Sequence, residues 1–213
     1  MKSPRQRSTI ALVCIFLFSL ISFGVYGRIF EQFDSQSMGI IQYYVPKSFD
    51  TLFSILSLLG SFELITVILF IILVARKRVQ GFIVFAYYIF GLLIEVAAKT
   101  LLYHPSPPPA LSRNTLGFLF PSSLYQTGFS YPSGHAMRTS FIVMIIAYLI
   151  VSSNIISDRK KYFVKIGLIV YLVCMMLSRV SLGEHWISDV LAGTLLGAGL
   201  ALLGTISLST KKT

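Results

Sequence analysis

The sequence predicts an all-α membrane protein: six transmembrane helices in one bundle, with both termini on the cytoplasmic side. Three observations lead there. Hydrophobic residues make up 55% of the 213 residues and charged residues only 12%, well below the quarter typical of soluble domains. Mean hydropathy is +0.78, so the chain cannot cover its surface with polar groups. The apolar residues gather in long charge-poor runs, and the basic residues sit in short clusters between them.

The first run, residues 10–26, follows Lys2, Arg5 and Arg7. A secretory signal begins the same way, but this run is long and no small-x-small cleavage site follows it, so we read a retained helix. The other runs are 52–74, 79–103, 134–153, 162–178 and 186–208. Each is roughly 17–25 residues, the length an α-helix needs to cross about 30 Å of hydrocarbon. They are apolar all round, so length and lack of charge identify them rather than periodicity. No internal repeat is visible, and residues 1–213 read as a single membrane-embedded domain. Cys14 and Cys174 lie inside apolar runs without ligand-like spacing and read as small hydrophobes.

The net charge of +10 raises nucleic acid as a partner. The basic residues form no long tail and no aromatic-basic groove pattern, so that class is set aside. Their placement fixes topology instead. Lys2, Arg5 and Arg7 precede the first run; Arg76, Lys77 and Arg78 join the second to the third. Arg159, Lys160, Lys161 and Lys165 join the fourth to the fifth, and Lys211 and Lys212 follow the sixth. The opposite side has only Arg28, Lys47 and Arg113. On that extracytoplasmic side, 27–51 is a mixed polar and aromatic stretch suited to an interfacial helix. Residues 104–133 form a loop rich in Pro, Ser and Gly, and 181–185 make a very short connection. His104, His135 and His185 all fall there.

Ionisable residues at the ends of membrane helices are costly and are functional candidates. His185 and Asp189 are four residues apart, hence on one helical face. The carboxylate can hold one imidazole nitrogen and leave the other free to attack; the other reading is a polar pair that caps or joins helices. Pro132-Ser133-Gly134-His135 opens the fourth helix. Free backbone N–H groups and the Ser133 hydroxyl suit an anion there, and His135 suits a general acid; the other reading is an ordinary N-cap beside a surface histidine. Lys99 and Arg179 stand at outer helix ends. They either snorkel to headgroups or offer fixed positive charge to an oxyanion.

Taken together, these residues resemble the type 2 phosphatidic acid phosphatase family, membrane lipid phosphatases related in active-site plan to vanadium haloperoxidases. That family carries three signatures. The first is lysine, six residues, arginine and proline. The second is Pro-Ser-Gly-His. The third is serine-arginine, five residues, histidine, three residues and aspartate. The second stands intact at Pro132 to His135, and the third at Ser178-Arg179, His185 and Asp189. The resemblance spans essentially the whole chain. It implies a hydrolase of lipid metabolism, multi-pass in the cell membrane, with its active site at the extracytoplasmic end. In it, His185 forms a phosphohistidine, Asp189 orients it and His135 protonates the departing lipid alkoxide. Lys99, Ser133, Gly134 and Arg179 hold the phosphate, and no metal or other cofactor is needed.

The implied substrate is a membrane lipid phosphate: phosphatidic acid, phosphatidylglycerophosphate or a polyprenyl (di)phosphate. A phosphotransferase on the same scaffold, or a non-catalytic protein that binds or transports lipid phosphates, are the alternatives. The first signature departs from the family: six residues after Lys99 stands Ser106, not arginine, before Pro107. A hydroxyl does not replace a bidentate guanidinium. Arg138, three residues after His135, is the expected substitute for phosphate binding, with His104 and Arg113 as weaker ones; the alternative is that Arg138 points outward to the interface. Glu95 is expected to pair with Lys99, and Glu184 to point away from a phosphate. Trp186, Tyr125 and Tyr131 read as interfacial aromatics.

Overall fold

A computed structural model of the chain describes residues 3–75, 80–118, 120–121 and 128–208. Lys2, Arg76, Lys77, Arg78, Lys211 and Lys212, which carried part of the topology argument, lie outside the described residues, as does Tyr125. The described residues form helices α1 (Pro4–Tyr26), α2 (Glu31–Tyr44), α3 (Asp50–Leu59), α4 (Phe62–Ala75), α5 (Gln80–Leu101), α6 (Gly134–Val151), α7 (Asp158–Ser181) and α8 (Ile187–Leu208). Short 3₁₀ turns occupy Lys47–Phe49 and Pro109–Leu111. Five helices, α1 and α5 to α8, are long and apolar enough to cross a membrane, and α3 with α4 makes a sixth if the bent pair counts as one span.

That bend corrects the expectation of one continuous second helix. The chain turns by 48° between Lys47–Leu59 and Phe62–Ala75. Gly60 caps α3, and glycine is a poor helix former. The bend leaves the Gly60 carbonyl outside the helical ladder, 3.5 Å from Arg138 Nε. The stretch 27–51 does contain a helix, α2, whose buried residues are Asp34 and Met38.

α8 is the hub, packed against α6, α1 and α5. Its contact with α6 is close because Gly193 and Gly197 lie against the Ser133 and Met137 carbonyls, where a Cβ would collide. Small residues let membrane helices approach this way. Around this seam, Met137, Phe141, Ile145, Leu196 and Leu200 form the core with Tyr88 of α5. Tyr88 packs edge-on to Phe141 and satisfies its hydroxyl on Thr66, 2.7 Å away. Outward faces keep Leu12, Phe16 and Leu20 on α1, and Ile169 and Val173 on α7, exposed, as lipid-facing surfaces require.

Two polar ties set how the helices end. Arg7 of α1, buried, donates to the Thr205 carbonyl of α8 at 2.7 Å and lies over the Tyr148 ring of α6. This gathers the start of α1 with the ends of α6 and α8. Away from them, the loop after α5 folds back on itself, with Pro105 bridging Phe129 and Ser130 N–H donating to the His104 carbonyl at 3.0 Å. The Trp186 indole donates to the Pro105 carbonyl at 2.7 Å.

Candidate active site

The start of α6, the end of α7 and the start of α8 converge at the end of α5. Ser133 caps α6, its Oγ accepting from Ala136 N–H at 3.5 Å, while its own N–H donates to the Asp189 carbonyl at 3.0 Å. α7 stops at Ser181; Gly183 adopts φ +68 beneath the Leu111 carbonyl. A glycine is needed there both for the left-handed backbone and for the space. The turn then carries His185 back, its N–H donating to the Arg179 carbonyl at 3.2 Å.

A cavity of about 740 Å³ opens between these elements. Its wall includes Lys99, Gly134, His135, Arg138, Arg179 and His185. The Pro-rich loop contributes Ser106, and the bent pair α3–α4 contributes Ser57 and Ser61. Two residues of the proposed set stand behind this wall. The Ser133 side chain is fully buried as the helix cap, and Asp189 is buried behind His185. Asp189 Oδ2 is 3.3 Å from His185 Nδ1 and also accepts the Trp186 N–H at 3.0 Å. The imidazole is thus held by Nδ1, and Nε2 is the nitrogen left for chemistry. Burial holds the His185 pKa below its ordinary value despite Asp189, helped by the charges of Arg179 and Lys99. That direction favours the neutral ring, the form in which an imidazole can attack.

Three cations meet at the wall, each with a protein partner. Glu95 bridges two of them, with Oε1 at 2.8 Å from Lys99 Nζ and Oε2 at 2.9 Å from Arg138 Nη1. The Glu95–Lys99 pair is the one expected from their spacing of four. Arg138 is turned inward and is 8% exposed, so the outward reading fails. Arg179 pairs with Ser57 and Glu184, and its buried Nε has no partner among the described residues. Gly134 is required where Glu95 and Arg138 meet, because a Cβ would overlap both.

Several expectations need correction. Glu184 does not point away; it lines the cavity and pairs with Arg179. A buried guanidinium without a counter-ion costs more than a carboxylate beside a phosphate pocket. Arg113 is not a clamp: it pairs with Asp50 at 2.6 Å and donates to the Gln42 and Val45 carbonyls. His104 sits behind the wall, against Asp189. Tyr131 is fully buried, its hydroxyl 2.7 Å from Ser22, rather than interfacial; burial pushes its phenol pKa up. Sequence reasoning missed Asp34 and Ser57 altogether, since each meets its partner across more than a hundred residues.

The geometry now has a family. The PAP2 superfamily pattern matches residues 80–212. The chain belongs to the PAP2 superfamily. The matched PAP2 segment contains every wall residue named above except Ser57 and Ser61. Phosphatidylglycerophosphatase B of Bacillus subtilis (strain 168) is 37% identical over 84 residues, which cover 39% of this chain and 41% of that protein. The fold is similar to the crystal structure of a transmembrane PAP2-type phosphatidylglycerolphosphate phosphatase from Bacillus subtilis. There the TM-score is 0.73 at 22% identity, over 92% of this chain and 93% of that one. The multi-pass helical fold of this PAP2 chain is thereby established.

Proposed function

We propose that this protein is a metal-independent lipid phosphatase working through a phosphohistidine on His185. One observation carries the reading: His185, His135 and the cations Lys99, Arg138 and Arg179 share one cavity wall, with Asp189 behind the nucleophile. In the first step His185 Nε2 attacks phosphorus. The N–P bond forms, the bond from phosphorus to the lipid oxygen breaks, and His135 gives its proton to the departing alkoxide. In the second step water attacks phosphorus and the N–P bond breaks. His135 takes back a proton, and orthophosphate leaves. Asp189 keeps the Nδ1 proton throughout and stabilises the cationic phosphorylated ring.

Phosphoryl transfer is catalysed mainly by positioning and fixed charge, and the three cations supply that charge without a metal. Arg179 lines the cavity and keeps one donor, its buried Nε, unpaired among the described residues. Gly134 and the α6 N-terminus offer backbone N–H groups, while Ser133 acts as the cap that holds them. Arg138 serves as the phosphate clamp where Ser106 replaces arginine.

The name of the Bacillus subtilis relative favours phosphatidylglycerophosphate as the first substrate to try. The basic clusters favour both termini on the cytoplasmic side and a cavity open to the extracytoplasmic side of the cell membrane. The test is phosphate release by the purified protein from phosphatidylglycerophosphate, phosphatidic acid and polyprenyl diphosphate, with chelator present and His185→Ala as control. Release that needs His185 and survives chelation is expected. No release from any of the three, or release that survives His185→Ala, overturns the reading.

A further inference from the structure

Behind the cavity wall, Asp189 belongs to a second charged cluster whose other members, His104 and Asp34, the scheme above does not use. His104 follows the end of α5 and is buried, 6% exposed. Its Nδ1 is 2.8 Å from Asp189 Oδ1, and its Nε2 is 3.5 Å from Asp34 Oδ2. Asp34 is the buried acid of α2, and it is pinned to the start of α8. It accepts the Ser188 N–H at 2.9 Å and the Ser188 hydroxyl at 2.6 Å. From the loop, the Ser130 hydroxyl lies 3.5 Å from His104 Nδ1, and the Tyr131 ring meets the imidazole edge-on.

Nδ1 hydrogen-bonds Asp189 and Nε2 faces Asp34 at ion-pair distance; two carboxylates, one on each side of the ring, favour the cationic imidazole. Burial works against that charge, but the bonds to Asp189 and Asp34 outweigh it and raise the His104 pKa to about 9. Asp189 therefore serves two imidazoles, His104 through Oδ1 and His185 through Oδ2.

We propose that His104 is a positioning residue for the nucleophile: it fixes Asp189 from the side away from the cavity and draws charge from it, and Asp34 on α2 fixes His104 in turn. The inference rests on His185 being the nucleophile. Its consequence is specific to the second half of the reaction. When His185 carries phosphate its ring is cationic, and a strongly basic Asp189 would prolong the N–P bond. The imidazolium of His104 weakens that hold and speeds hydrolysis. The helix α2, which lies outside the six spans, thereby becomes part of the catalytic apparatus.

The experiment compares wild type with His104→Gln and Asp34→Asn in detergent micelles, using short-chain phosphatidic acid labelled on its phosphate. Rapid quenching under alkaline conditions reads labelled enzyme, and steady state reads kcat and KM. Slower hydrolysis alone lowers kcat and KM together and leaves kcat/KM unchanged, because kcat/KM reports only steps through phosphorylation. His104→Gln is expected to lower both by about tenfold and to raise the labelled fraction. Asp34→Asn moves them the same way by less, and it carries the test if His104→Gln does not fold. Unchanged kcat in both variants, or loss of kcat/KM without added label, overturns the proposal. Wild type that releases no phosphate, or takes label that survives His185→Ala, removes the nucleophile reading and this proposal with it.

Discussion

Arg138 Nη1 and Glu95 Oε2 lie 2.9 Å apart on the cavity wall, and the other oxygen of Glu95 holds Lys99 at 2.8 Å. One carboxylate thus aligns two cations from α5 and α6 toward the same space. If Arg138 binds phosphate, Arg138→Ala loses one charge-assisted contact, worth about 1.5–3 kcal/mol. KM for the lipid phosphate then rises tenfold or more. Ser106 faces the same cavity, so Ser106→Arg in the Arg138→Ala background should recover part of the loss. Steady-state kinetics of the single and double variants decide it; unchanged kinetics in Arg138→Ala remove the clamp.

Asp189 holds Nδ1 of His185 through a bond of 3.3 Å. Asp189→Asn keeps the shape but loses the preference for the tautomer with Nε2 free. By analogy with serine-protease triads, kcat falls on the order of 10³–10⁴-fold. A loss below tenfold in phosphate release would mean that Asp189 does not orient the nucleophile.

Glu184 pairs with the Arg179 guanidinium, which under the proposed scheme an incoming phosphate would have to reach. In Glu184→Gln the anion no longer displaces a carboxylate, so orthophosphate inhibits at concentrations lowered severalfold. Arg179 also loses its counter-ion, and Tm falls. Inhibition constants and thermal melts of the same preparation test both signs, and weaker phosphate inhibition would show that Glu184 aids binding instead.

His104 makes stability depend on pH in a set direction. Its pKa rises from 6.5 to about 9 on folding. The groups facing it are Asp34 from α2, Asp189 from α8, and Ser130 and Tyr131 from the loop. A raised pKa stabilises fully below the unfolded value and is lost as pH climbs through the folded one. Tm of the wild type should therefore fall relative to His104→Gln between about pH 6.5 and 9. Parallel melting curves across that window would show that His104 is not held as a cation.

Gly193 lies where a Cβ would strike the Ser133 carbonyl. Gly193→Ala forces α8 away from α6, at about 1–3 kcal/mol. Because Ser133 N–H also bonds the Asp189 carbonyl, activity should fall along with Tm. An active variant with unchanged Tm would mean that the seam yields without cost.

Much of this protein is local along the chain, and that part was legible. Apolar runs long enough to cross a bilayer mark α1, α5, α6, α7 and α8, because the bilayer fixes their length. Glu95 with Lys99, and His185 with Asp189, are four apart, so helical geometry alone brings each pair together. The distance of three from His135 put Arg138 on a similar face, but only the cavity wall decided between its inward and outward turn.

The sequence alone thus determined a bundle of apolar helices and the residues at their polar ends. Tertiary structure decided which groups answer one another. The bend at Gly60, the pairing of Glu184 with Arg179, and the link from Asp34 through His104 to Asp189 all depend on it. A buried charge must find a partner or pay a heavy desolvation penalty. Which partner it finds depends on how the elements meet: Glu184 reaches Arg179 five residues back across the turn, whereas His104 meets Asp189 from 85 residues away, and no helical spacing records either meeting.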